Sequence, residues 1–69
     1  MKNTAMKNTY RTFKAQVENI ETEKDLKKAH IAICQSYSNY ELSHTQFTVL
    51  RDAMIAKREQ KGFTWGKGI

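Results

Sequence analysis

The sequence predicts an all-α fold, a three-helix bundle with a frayed N-terminus and a short basic, aromatic C-terminal tail. Three observations carry this. Proline is absent and the three glycines all lie at or after Gly62, so residues 1–61 hold neither strong helix breaker. Apolar residues recur at intervals of three and four, the period of one helix face. Two capping signatures divide the chain into helical stretches of about 6–20, 23–38 and 44–61. At 69 residues these make a single helical domain, 1–69.

The first helix carries Met6, Tyr10, Phe13, Val17 and Ile20 as one apolar stripe, with Lys14, Glu18 and Glu21 on other faces. The stripe reads as core rather than as a base-stacking platform. Before it, Met1-Lys2-Asn3-Thr4 is copied as Met6-Lys7-Asn8-Thr9, which marks Met6 as an alternative start and the segment as frayed. Thr22, with Asp25 three residues on, predicts a capping box for the second helix. Glu23 and Asp25 suit the positive end of its macrodipole. The short connection predicts that helices 1 and 2 are antiparallel neighbours.

In the second helix Leu26, Ala29, His30, Ile33, Tyr37 and Tyr40 form a broad apolar face, widened by Ile31 and Cys34. That width predicts a central helix packed on both sides. Its exposed face is basic, with Lys24, Lys27 and Lys28. Ser36-Tyr37-Ser38-Asn39-Tyr40 holds poor helix formers, so the helix ends near Ser38 and turns through Asn39 to Leu42.

The stretch Glu41 to Phe47 organises the chain. Ser43 is the N-cap of helix 3, Gln46 completes a capping box, and Leu42 and Phe47 occupy the positions of a hydrophobic staple. Phe47, Leu50 and Met54 form the inner stripe, with Val49, Ala53 and Ala56 beside it. Lys57, Arg58 and Lys61 complement the C-terminal end of the dipole, and Gly62 stops the helix. Phe63 and Trp65 then either fold back on the bundle, which is the expected arrangement, or stand out as an anchor.

A chain of this size buries only about 60% of its unfolded surface and usually needs a staple or a partner. Cys34 is the only cysteine, so no internal disulfide forms, and a lone thiol suits the reducing cytoplasm. His30 and Cys34 lie one helical turn apart, a spacing that two metal ligands can use. With His44 they fall short of the usual four, so no metal or other cofactor is expected. Cys34 in an apolar helix is a poor nucleophile, and no glycine loop cradles phosphate. The chain reads as a non-enzyme. No run approaches the ~18 apolar residues of a membrane span, so no membrane partner is expected.

The net charge of +5 is uneven: basic ends flank an acidic stretch from Glu18 to Asp25. Solubility and internal pairing explain much of it, while a polyanion or an acidic protein face is the functional reading. Helix 3 following helix 2 also fits a helix-turn-helix, presenting His44, Thr48, Arg51 and Arg58 to DNA. Asp52 and Glu59 near that side oppose it.

Asn39-Tyr40-Glu41-Leu42-Ser43, followed by Gln46, Phe47, Val49 and Ala53, resembles the middle of the Hha-type nucleoid regulators, small helical proteins that bind a DNA-coating partner. The likeness covers under a third of the chain. It breaks after Met54, where Ile55-Ala56-Lys57 replaces the family's Asp-His-Arg cluster, and it carries over no binding residue. The lysine-, asparagine- and threonine-rich style of the whole chain is similar to that of accessory proteins of temperate bacteriophages. That resemblance implies a protein acting in the cytoplasm of a bacterial host on a host or phage regulator. The sequence therefore predicts a binding protein for a regulatory protein, with a small DNA-binding regulator as the alternative and a homodimer as a further option. The candidate binding residues are Lys24, Lys27, Lys28, Arg51, Arg58 and Trp65.

Overall fold

The computed structural model describes residues 9–66. It is a three-helix bundle of α1 (Thr9–Glu18), α2 (Glu23–Ser38) and α3 (His44–Lys61). The tandem copy up to residue 8, with Met6 and the expected frayed start, lies outside the described residues, as does Lys67 of the tail.

The α1 stripe works as the spacing predicts: Val17 and Ile20 are buried, and Tyr10 and Phe13 pack half-buried against them. The helix stops two residues before the expected Ile20. Asn19 donates to the carbonyls of Ala15 and Gln16, and Ile20 reaches only Val17, at 3.2 Å. The reason lies in the next helix. Asp25 Oδ2 accepts from the backbone N–H of Glu21 at 3.1 Å and of Thr22 at 3.2 Å, while Thr22 Oγ1 accepts from the Asp25 N–H at 3.1 Å. This capping box takes over the amides that would have continued α1.

On α2, Leu26, Ala29 and Ile33 are buried, and Ser36 joins them as the one buried polar residue among those described. The broad face is narrower than expected. Ile31 is 47% exposed and Tyr40 is 95% exposed. Nor is α2 the central helix: α3 contacts both others extensively, and the α1–α2 contact is the smallest. The longest helix offers the longest flank, so α3 takes the middle. From it Leu50 and Met54 enter the core and Phe47 packs on its edge, while Val49 and Ala56 face solvent.

The corner between α2 and α3 satisfies its backbone locally. Glu41 N–H donates to Ser36 O at 2.9 Å and Tyr40 N–H to Tyr37 O at 3.1 Å, the paired bonds of a Schellman motif. Tyr40 holds the left-handed position at φ +63°, where glycine is usual. Three residues later Ser43 Oγ accepts from Gln46 N–H at 3.1 Å and Gln46 Oε1 accepts from Ser43 N–H at 3.0 Å. Leu42 is buried between these two motifs. The end of α3 repeats the Schellman pattern with a glycine: Gly62 sits at φ +72°, with Gly62 N–H on Glu59 O and Phe63 N–H on Arg58 O.

Two substitutions at this corner should move stability in opposite directions. Ser43→Ala removes a cap and should cost about 0.5–2 kcal/mol. Tyr40→Gly relieves a left-handed L-residue and should gain roughly 0.5–1 kcal/mol after glycine's greater unfolded-state entropy is subtracted. Thermal and urea melts check both, and a lower melting temperature for Tyr40→Gly would show that the phenol makes a stabilising contact.

The Asp25 carboxyl is held below its ordinary value of 3.8, first by the Glu21 backbone N–H, with the Thr22 bonds and the Lys28 charge adding to it. The fold thus favours the ionised form. Its contribution is complete above that ordinary value and is lost as pH falls through the lowered one. In acid titrations of the melt, the parent should lose stability below pH 3.8 more steeply than Asp25→Asn.

Candidate functional site

The outer face of α2 is built by the same period that buries its inner face. With Leu26, Ala29 and Ile33 turned inward, Lys24, Lys27, Lys28, Ile31, Gln35 and Ser38 fall together on the solvent side, all exposed. The row runs about 21 Å at 1.5 Å per residue. Its first half is cationic, Ile31 stands at its centre, and its second half is neutral and polar. Tyr40 follows immediately after the helix.

The electrostatics of this face are one-sided. Among the described residues the ion pairs are Arg51–Asp52 at 3.4 Å and Arg58–Glu59 at 2.7 Å. Lys24, Lys27 and Lys28 belong to neither. The nearby acids are occupied: Asp25 by its capping box, and Glu23 by the tail, whose Thr64 N–H and hydroxyl both donate to Glu23 Oε2. Two shallow open grooves border the face. One, of about 340 Å³, is lined by Gln16, Asn19, Asp25 and Lys28, and the other, of about 400 Å³, by Cys34, Gln35, Ser38 and Asn39.

The remaining candidate residues sit elsewhere. Arg51 is exposed on α3 beside Asp52. Arg58 is drawn inward: its side chain is 12% exposed, and Nη1 donates to the Gly66 carbonyl at 2.6 Å. Trp65 is half-buried and meets the His30 ring edge-on, centroids 5.6 Å apart. The tail therefore folds back, with Phe63 also packed on the core. Three lysines gather on one face, while Arg58 and Trp65 instead hold the tail to the bundle.

Cys34 Sγ lies 3.5 Å from His30 Nε2. Among the described residues, no three His, Cys, Asp or Glu side chains are grouped to hold a metal ion. The helix-turn-helix set is largely engaged within the chain. His44 Nδ1 shares a hydrogen bond with the Tyr37 hydroxyl at 3.2 Å, Thr48 donates to the His44 carbonyl at 2.9 Å, and Tyr37 stacks on Phe47 with centroids 4.3 Å apart. Arg51 is left as the solvent-facing cation of the four.

Sequence reasoning missed Ile31 and Tyr40 as surface residues. Ile31 was legible: it lies three and four residues from Lys28 and Lys27, on their side of the helix. Tyr40 was not, because a left-handed turn position without glycine leaves no local signal.

No family model matches the sequence, and no curated protein or solved structure matches it. Among the described residues no helix is long and apolar enough to cross a membrane.

The folded-back tail has a direct optical test, since Trp65 is the only tryptophan. Its emission should be blue-shifted relative to free tryptophan. Truncation after Gly62 should lower stability by roughly 2–4 kcal/mol, the scale of removing two partly buried aromatic side chains. A water-like spectrum together with an unchanged melt of the truncated chain would contradict the docking of Phe63 and Trp65.

Proposed function

We propose that this protein is a non-enzymatic accessory protein of a phage or mobile element that acts in the bacterial cytoplasm. It binds an acidic face of a regulatory protein through the outer face of α2. One observation carries the reading: Lys24, Lys27 and Lys28 are exposed and outside the ion pairs among the described residues, with Lys28 alone acting on the Asp25 charge, and they border a half-exposed Ile31. A cationic cluster around an apolar residue suits a protein surface that offers carboxylates at its rim and an apolar centre. The overall likeness to small phage accessory proteins supports the biological setting, and the charge pattern supports the mode of binding.

The same lysines favour a second reading, a small DNA-binding regulator. Phosphate would then be neutralised by Lys24, Lys27 and Lys28 with Arg51, and affinity would fall steeply with salt, by a logarithmic slope of about 0.9 per phosphate contacted.

One experiment separates the two. Tagged protein and its K24E/K27E/K28E variant are used to capture partners from bacterial lysate with and without nuclease, with circular dichroism confirming that both are helical. The protein reading expects capture that survives nuclease and is lost on charge reversal. Capture that needs nucleic acid, with salt-dependent binding to mixed duplex DNA, would replace it by the DNA reading. Nuclease-resistant capture that is unaffected by the triple reversal would remove α2 as the surface.

A further inference from the structure

The solvent faces of α2 and α3 carry matching rows. On α2, Lys24, Lys28, Ile31, Gln35 and Ser38 follow one another at intervals of four, three, four and three. On α3, Thr45, Val49, Asp52, Ala56 and Glu59 follow at the same intervals. All ten residues are exposed. This is the seam spacing that lets two helices lie side by side at a shallow crossing angle. The rows differ in sign. The α2 row bears lysines and no acid, and the α3 row bears Asp52 and Glu59 and no base. Ile31 and Val49, two of the exposed large apolar residues, lie within them.

We propose that the α2 row docks on the α3 row of a second copy of this chain. We place the rows in the register that sets the outermost acid of α3 on a lysine of α2. With the helices antiparallel, Lys28 lies opposite Glu59, Ile31 opposite Ala56, Gln35 opposite Asp52 and Ser38 opposite Val49. The layers then pair opposite charges, two apolar groups, an amide with a carboxylate, and a serine hydroxyl with the exposed Val49. Moving by one layer sets Ile31 against Asp52 in one direction and against Glu59 in the other, and either buries a carboxylate on an isoleucine. Full parallel overlap of the two rows makes that same mismatch and places Lys28 on Val49.

The acids are available for this contact. Asp52 and Glu59 each meet an arginine one position earlier, yet their side chains remain 65% and 70% exposed. The contact joins different patches of the two copies, so it is heterologous. A single helix pair covers less than a standard interface of about 800 Å² per partner, which places the association at the weak, transient end. Lys28 and Ile31 belong both to this contact and to the partner surface proposed above. Self-association therefore covers that surface and competes with partner capture. The competition rests on the proposed function, whereas the self-association stands on the two rows alone.

Sedimentation equilibrium of the full chain tests it, from micromolar to millimolar protein at low salt and at roughly 0.5 M salt, where screening is within a few ångström. The weight-average mass should rise with concentration and fall with salt. K28E and E59K should each weaken association about tenfold, and the combined K28E/E59K chain should regain it, because the two residues meet only between copies. Ile31→Lys should hold the chain monomeric throughout. Circular dichroism confirms that each variant is folded, with Ile31→Ser in reserve. Monomeric mass at every concentration, full association of Ile31→Lys, or a double charge swap no stronger than its singles would overturn the proposal. A purely monomeric chain leaves the lysine surface to be decided by its own charge-reversal experiment.

Discussion

The structure depends on the backbone accounting at the corner between α2 and α3. Two helix ends meet within a few residues, and each leaves polar groups without intrahelical partners. Ser36 and Tyr37 carbonyls are taken by Glu41 and Tyr40, and the amides of Ser43 and Gln46 by the Gln46 and Ser43 side chains. With those groups satisfied by the corner itself, Leu42 can be buried without stranding backbone in an apolar site. The reversal then lays α3 along α2, and α1 closes on the flank that α3 still offers. The Tyr37–His44 bond and the Tyr37–Phe47 stack tie the same corner from the outside.

A small core shapes everything else. Among the described residues eight apolar ones are buried, from Val17 to Met54, and the only cysteine is free. The tail adds apolar area that three short helices lack. Phe63 and Trp65 pack on the bundle, Arg58 holds the Gly66 carbonyl, and Glu23 at the start of α2 receives Thr64. This strap joins the end of α3 to the start of α2, so the two helices are linked at both ends. It also consumes charge: Arg58 and Glu23 hold the tail, while Lys24, Lys27 and Lys28 are left for solvent or a partner. The basic face is thus partly a by-product of how the tail is fastened.

Tyr40 is the exception to local consistency. It adopts a backbone conformation suited to glycine and exposes nearly all of its side chain. The other Schellman turn, at Gly62, uses glycine although an added Cβ there would meet nothing within 4 Å. Both turns hold a left-handed φ, +63° and +72°, and a Cβ is sterically free at Gly62, so neither backbone nor space explains why one turn holds glycine and the other tyrosine. Nothing within the described chain explains the choice of tyrosine at the first turn.

By itself the sequence determined the helical class, both capping boxes, the ends of α2 and α3, and the stripes containing Val17, Leu26, Ile33, Leu50 and Met54. These follow from interactions within a few residues: a hydroxyl three positions from an amide, a side chain one turn from its neighbour, a glycine after a basic last turn. The early end of α1 needed knowledge of how Asp25 divides its acceptor among two amides. Only the tertiary structure decided that α3 rather than α2 is central, that Tyr40 faces outward, and that Arg58 and Trp65 fasten the tail. Each depends on which flank another helix covers, and residues as far apart as Glu23 and Thr64 meet only after the bundle has closed. Periodicity states that a face is apolar, but it does not state which neighbour fills it or how much remains in water.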